Sequence, residues 1–505
     1  IRDHDNITMA SPAALTDSVE VYETVETNIT ETIEVTSVNK AGKTQVEKVV
    51  VELPAYHTAP PWQLLWDDLK LFILKAYKLP VVVFPLAYPH RGHTRYPPLD
   101  QAWVPHMIRF GAINRAVTYF QERFQHIIDP HYPSGEMDEL YPSVGNLICL
   151  AAHTVLIATQ LAFLLSLPFI ATFPFTAVLP YAIAFVTINY LACIPLNAGV
   201  KGGVLESHQI TESENWVKHE NEKWIFLNGV SVGSHWLQGN LNRLSRTFHR
   251  PITGVHNKTA GVIFDTIQCL VERCFYFGTT DTRECYALIA GAVADPAKDR
   301  VVLILHSQGG LEGSIILDWL LSHCARKDLK KLEIYTFGNA ANHFNNPKID
   351  EGEYVVGHIE HYANDGDFVA EWGVTHFKSL ISEQTKEAKN HSKKSHRHKR
   401  QSHETAIASI LGVTPRQNNF NGLLFKNKGK WGHLLNQHYL DRILPLNNTL
   451  TGVVEGKEGR GHKYFLDATM VQGRGLRKGD KNKVANESRL WQYINGREPG
   501  MVNGN

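Results

Sequence analysis

The sequence predicts an α/β protein: a doubly wound, mostly parallel sheet with an apolar helical hairpin inserted in it or preceding it. Three observations carry this expectation. From Trp216 onward, strand-like and helix-like patterns alternate for about 150 residues, as parallel strands joined by crossover helices do. Residues 301–310, VVLILHSQGG, set an uninterrupted apolar run against a small tight turn and then a helical period; a buried strand turning sharply into a helix reads this way. The 61 residues from Leu140 to Val200 contain no Asp, Glu, Lys or Arg.

Size and composition bound the rest. A chain of 505 residues, 43% of them hydrophobic, can hold two or three domains or one large decorated one. The net charge of +1 gives no basic surface on which to expect nucleic acid. Six dispersed cysteines (Cys149, Cys193, Cys269, Cys274, Cys285 and Cys324) lack metal-ligand spacing and read as buried thiols in a reducing compartment. Sequons at Asn6, Asn28, Asn257, Asn447 and Asn486 decide nothing without a route to the lumen. The opening IRDHDN has neither a methionine nor a signal pattern, so a leader removed or never recorded is expected.

Taken in order, residues 1–60 form an N-terminal arm. Within it ETIEVTSV and TQVEKVVVEL, separated by NKAGK, read as a β-hairpin or as a solvated acidic arm. Residues 61–139 form an amphipathic helical region. WQLLWDDLKLFILKAYKL places Leu65, Leu69, Phe72, Ile73 and Ala76 at helical spacing, for packing on a core or lying on a membrane surface. A Pro-broken run, VVVFPLAYPHRGHTRYPP, follows, and then a second amphipathic helix, IRFGAINRAVTYFQERFQHII. Residues 140–200 form the apolar hairpin. Its arms, about 147–167 and 175–194, are each long enough to cross a hydrocarbon layer about 30 Å thick. PFIATFP between them is too short and apolar for an aqueous loop, so either a tight two-span hairpin or a re-entrant one is expected, with Pro168, Pro174 and Pro180 bending the helices. A buried helical pair in a soluble protein is the bland alternative. The α/β unit then runs from 201 to 470, interrupted by a basic insertion at 381–404. There Lys386 to Arg400 carries seven positive charges in fifteen residues, suited to anionic lipid headgroups or simply solvated. In the tail, 471–505, the apolar patch LWQYI is expected to pack loosely.

A serine hydroxyl becomes a useful nucleophile when a strained turn lifts it from the sheet beside a base, which requires small neighbours such as Gly309 and Gly310 around Ser307. The run His306-Ser307-Gln308-Gly309-Gly310 resembles the nucleophile elbow of α/β-hydrolases of the lipase-like serine-esterase kind, over roughly residues 220–445. It departs from G-x-S-x-G in having Leu305 two residues before the serine, a side chain that must find room against the following helix. The resemblance implies a serine–acid–histidine order along the chain. For the acid, HYANDGDFVAEWG supplies Asp365 as first choice, because Asn364-Asp365 resembles the lipase motif, with Asp367 and then Glu371 as alternates. Of the histidines that follow, His376, His433 and His438 are candidates. Gly432-His433 resembles the catalytic position, and His438 is its alternate. Asn228-Gly229-Val230 after the first strand resembles the oxyanion loop, its amide acting with the N–H of Gln308.

The implied function is that of a membrane-associated serine hydrolase cleaving lipid or long-chain acyl esters through an acyl-enzyme. No cofactor or metal is implied. The membrane would be an endomembrane or a lipid-droplet surface, with the α/β unit cytosolic. An acyltransferase using the same residues, and a catalytically silent hydrolase fold acting as a membrane binding module, are the alternatives.

Overall fold

The computed structural model describes residues 19–22, 29–38, 44–53, 60–89, 130–200, 202–208, 216–348, 353–378, 420–454, 470–472 and 484–499. The second amphipathic helix expected at 108–128 and the basic insertion at 381–404 lie outside the described residues.

Strand β1 (Val19–Tyr22) is followed by β2 (Ile29–Val38) and β3 (Thr44–Leu53), which pair antiparallel with Ile29 opposite Leu53 and Val38 opposite Thr44. Helix α1 (Pro61–Lys75) begins with Pro in its first turn, where the missing N–H costs no hydrogen bond. Two-residue strands β4 (Tyr88–Pro89) and β5 (Pro130–His131) pair with each other. The uncharged stretch forms α2 (Val144–Ile170) and α3 (Phe175–Asn197), both long and apolar enough to cross a membrane. Ser143 caps α2 by accepting from Asn146 N at 3.2 Å.

The main sheet is built from β6 (Val204–Glu206), β7 (Glu222–Leu227), β8 (Ile252–Val255), β9 (Arg300–His306), β10 (Leu332–Phe337), β11 (His358–Asn364) and β12 (Leu423–Asn427). Their spatial order is β6-β8-β7-β9-β10-β11-β12, parallel throughout except for edge strand β6. Beyond β12 the sheet is extended by β1, antiparallel, and then β13 (Met470–Gln472). Helices α4 (Ser234–Phe248), α5 (Val262–Phe275), α6 (Thr280–Ala294), α7 (Gln308–His323) and the short α8 (Phe368–Trp372) flank it. The period-2 alternation of side chains explains why both faces are covered. Trp224 and Phe226 of β7, with Val302 and Ile304 of β9, pack on Leu237, Leu241, Leu244 and Phe248 of α4. Ile225 and Leu227, with Leu303 and Leu305, pack on Ile289 and Val293 of α6 and on Ile316, Leu317 and Leu320 of α7. This is an α/β architecture with a mixed, mostly parallel sheet.

The C-terminal patch departs from expectation. Leu490, Tyr493 and Ile494 are fully buried in the cluster under α4 rather than loosely packed, because an apolar patch beside an otherwise uncovered sheet face lowers its free energy by docking there. All six cysteines are free thiols; Cys324 is partly exposed and the others are buried.

Candidate active site

The chain turns from β9 into α7 through Ser307, which has φ 60° and ψ −121°. A non-glycine residue in that region carries about 1–3 kcal/mol of strain and persists only when its surroundings over-determine it. Here they do. Ser307 N donates to Phe337 O (3.0 Å), and Ser307 O accepts from Ala340 N (3.2 Å) and Gly310 N (3.0 Å). The departure at Leu305 is also resolved. Its side chain is fully buried against Gly313 of α7, where any Cβ would collide with it. The small residue has moved from the strand to the helix, and the turn keeps its shape.

Asp367 and His433 meet beside this turn. His433 Nδ1 donates to Asp367 Oδ2 at 2.8 Å, and Tyr439 Oη donates to the same oxygen at 2.5 Å. Asp367 Oδ1 accepts from Val369 N at 2.9 Å as the N-cap of α8. Complete burial would raise the Asp367 carboxyl, but the His433 charge and hydrogen bond, then Tyr439 and the Val369 amide, hold it below the usual carboxylate range. With Nδ1 donating, Nε2 of His433 is left as the acceptor; it is buried and has no partner among the described residues. Two contacts place the pair next to Ser307. The His433 ring stacks on His306, centroids 4.7 Å apart, and Gly338, at φ +56°, passes so close that a Cβ would stand 2.8 Å from both Asp367 Oδ2 and the imidazole. The expected acid is thereby corrected. Asp365 is half-exposed and ion-paired to Lys426 at 2.7 Å, because its turn points it toward β12. Glu371 is ion-paired to Lys75 at 2.8 Å and to Lys78.

His438 does not take the histidine position either. Its Nε2 donates to Pro85 O (2.9 Å) and its Nδ1 accepts from Leu434 N (3.1 Å), so both ring nitrogens are committed. Burial, then the Arg442 charge, lower its pKa to about 3. His376 lies edge-on to Phe377 and is likewise lowered to about 4, chiefly by burial. His433 N itself donates to Val82 O at 2.8 Å, so the segment after α1 is a strap that holds the histidine loop.

On the opposite side of Ser307 is the turn after β7. The Asn228 side chain is not aimed at the serine. It accepts from Asn257 N (2.9 Å) and donates to Asn257 O (2.9 Å), buckling the loops after β7 and β8 together. Gly229 approaches Ser307 so closely that a Cβ would stand 2.9 Å from Oγ. The N–H groups of Gly229 and Val230 make no hydrogen bond among the described residues. Ser231 N, by contrast, donates to Asp265 Oδ2 at 2.9 Å. The side chain of Gln308 donates to Glu272 at 3.0 Å, leaving its backbone N–H as the first amide of α7, where a helix has no internal acceptor to offer. Burial raises Asp265 to about 6 and Glu272 to about 7.

Sequence reasoning missed Tyr439, Asp265, Glu272 and Val82. For Asp367 a signal existed: in NDGDFVAEW the second aspartate directly precedes the helical residues, the N-cap position, whereas Asp365 precedes a glycine turn. Nothing local marks the other four. A comparison with known protein families and a search of curated proteins each find no match to this chain.

Proposed function

We propose that the chain is a membrane-associated serine hydrolase of the α/β-hydrolase kind that cleaves lipid or long-chain acyl esters through an acyl-enzyme. The observation that carries this reading is the strained Ser307 at a strand-to-helix turn, beside a buried Asp367–His433 pair whose Nε2 is unclaimed. In the proposed reaction Ser307 Oγ attacks the ester carbonyl and His433 Nε2 takes its proton. Asp367 fixes the Nδ1–H tautomer and stabilises the imidazolium, with Tyr439 holding the carboxylate. The amides of Gln308 and of Gly229 or Val230 are placed to receive the oxyanion, and losing one such donor typically costs about 3 kcal/mol of barrier. His433 then protonates the leaving alcohol, and water or another acyl acceptor repeats the cycle.

The two long apolar helices support a substrate already resident at a lipid surface. Gly313, which makes room for Leu305, speaks against the silent alternative. The test is fluorophosphonate labelling in mild detergent of the wild type beside Ser307→Ala. Labelling of the first and none of the second is expected. A folded wild type that reacts with no probe, whatever its size, returns the chain to a binding module.

A further inference from the structure

The buried residues of α2 are Asn146, Cys149, His153, Leu156, Gln160 and Phe163, a single stripe at alternating spacings of three and four. Cys149 and Leu156 cluster with Cys193 and Leu196 of α3, and the rest of the stripe reaches the α/β unit. Asn146 Oδ1 accepts from Trp236 Nε1 (2.9 Å), His153 stacks on Trp236 (5.4 Å), Gln160 Nε2 donates to Ala260 O (2.7 Å), and Phe163 stands edge-on to Phe264 of α5 (6.3 Å). From Asn146 to Phe163 this stripe is about 25 Å long. A hairpin spanning a bilayer would meet such a unit only at one end, since lining it for 25 Å would drag polar loops into hydrocarbon. Beyond Phe163, which stacks on Phe185 at 4.0 Å, the hairpin tip runs past these contacts, while Leu147, Ile148, Val155, Ile183, Val186 and Ile188 are exposed along the rest of the hairpin. That tip extends about 12–15 Å, half of a hydrocarbon layer of about 30 Å, and its Leu165, Phe169 and Phe175 are exposed.

We propose that the chain is anchored in one phospholipid leaflet, with the carboxyl-terminal edge of its sheet toward lipid; this rests on the membrane association proposed above. The apolar surface continues beyond the hairpin. Helix α5 packs against both α2 and α1 and itself exposes Ile267 and Val271. Helix α1 exposes Trp62, Trp66, Ile73 and Leu74, and the turn after it exposes Tyr77. Lys70 lies over Trp66 (5.1 Å) and Lys78 over Trp431 (5.9 Å), an aromatic and basic rim suited to the headgroup layer. The test uses Phe173→Cys at the tip, with Cys324 reporting the side of the α/β unit, in sealed phosphatidylcholine–phosphatidylserine vesicles. An impermeant maleimide is added outside or trapped inside. One-leaflet anchoring leaves position 173 unlabelled from either side until detergent is added, while Cys324 reacts from one. Labelling of position 173 from the side opposite Cys324 establishes a spanning hairpin and overturns the proposal. So does labelling from the same side in vesicle-bound protein. Protein that does not float with vesicles at all overturns the membrane association itself.

A separate hydrogen-bond chain carries a second inference. Gln160 Nε2 and Asn189 Nδ2 both donate to Ala260 O (2.7 and 2.9 Å), and Asn197 exchanges two bonds with the backbone of Thr259 (2.8 and 3.0 Å). Thr259 Oγ1 and Ala260 N in turn donate to Asp265 (both 2.7 Å), whose other partner is the amide of Ser231. The geometry points to Asp265 as a positioning residue for the Gly229–Val230 amides, held by the hairpin helices. Hydrolysis of p-nitrophenyl butyrate in micelles tests it. Asp265→Ala lowers kcat about 10–100-fold with KM little changed, as loss of an oriented oxyanion donor does. Asp265→Asn, which keeps one acceptor, is intermediate. The double variant Gln160→Leu with Asn189→Leu lowers kcat while still floating with vesicles. Folded variants with wild-type kcat, or with a change in KM alone, overturn the inference. A wild type that turns over nothing tells against the hydrolase reading instead.

Discussion

The two edges of the main sheet are built on opposite electrostatic plans. At the amino edge the buried glutamates of β7 and β10 have arginine counter-charges. Glu222 meets Arg250 (2.5 Å) and Arg300 (2.9 Å), while Glu333 meets Arg489 (2.7 Å) and accepts from Tyr493 and Tyr335 (2.7 Å each). At the carboxyl edge, Nε2 of His433 and the amides of Gly229 and Val230 have no partners among the described residues, and Ser307 is strained. Unmet hydrogen-bonding capacity in a folded interior lowers stability, and an open imidazole nitrogen and open amides around a strained serine are where a substrate is expected to complete the set.

The largest expected effect separates the two aspartates of the carboxyl edge. Asp367→Asn should lower ester turnover about 10⁴-fold, as loss of the tautomer-fixing acid does elsewhere. Asp365→Asn should leave turnover within about twofold, because its partner Lys426 is an ion pair remote from the imidazole. Equal losses in steady-state assays would show that the pairing with His433 is not what matters. At the amino edge the converse holds. Arg250→Ala should leave kcat unchanged but cost about 3–5 kcal/mol in urea unfolding, since it strands part of the buried Glu222 charge. A smaller effect is expected at the turn itself. Gly313→Ala should destabilise by about 1–3 kcal/mol through collision with Leu305. Much of that should be recovered when Leu305→Ala is added, a coupling that a double-mutant cycle reads directly.

The smallest effect is the pH dependence of the two edges. Burial, as the largest cause, lowers His306, His361 and His438 to about 3 and His256 and His376 to about 4. Between those values and the ordinary histidine value near 6.5 the unfolded chain binds protons that the folded chain refuses, so stability falls as pH falls. Asp265 at about 6 and Glu272 at about 7 act oppositely, since there the folded form holds the proton and stability falls as pH rises. Asp138, Glu139, Asp281, Glu312 and Asp441 are raised as well, each chiefly by burial, so the carboxyls offset the histidines and the thermal midpoint should change little between about pH 5 and pH 7.5. The amino edge should contribute little across that window. Glu333, although burial tends to raise it, is held low by the hydrogen bond and charge of Arg489, so its contribution is lost only at more acid pH. A midpoint that falls steeply on acidification would show that the histidines outweigh the carboxyls.

Much of this architecture was legible in the chain. β9 was visible as five apolar residues running into His306-Ser307, and the hairpin as a stretch without charge, because burial and backbone geometry write themselves into local composition. His433 was reached through its preceding glycine, which sits at φ +92° in the turn. Asp365 was chosen over Asp367 on local motif, where the deciding fact was which carboxylate lies 2.8 Å from an imidazole 66 residues away. The tail patch was read as loose because its partner surface, under α4, is more than two hundred residues distant in sequence.

From its sequence alone this protein was committed to an α/β fold, to a sharp turn presenting Ser307, and to two helices long and apolar enough for a membrane. Tertiary structure alone decided that Asp367 and Tyr439 serve His433, that Gly313 accommodates Leu305, and that one stripe of the hairpin is gripped by the loops around the candidate site. The reason is physical. Secondary structure and burial depend on neighbours within a few residues and leave a periodic trace. Hydrogen bonds between side chains depend on distances of about 3 Å between segments far apart in the chain, and those exist only once the sheet has ordered its strands.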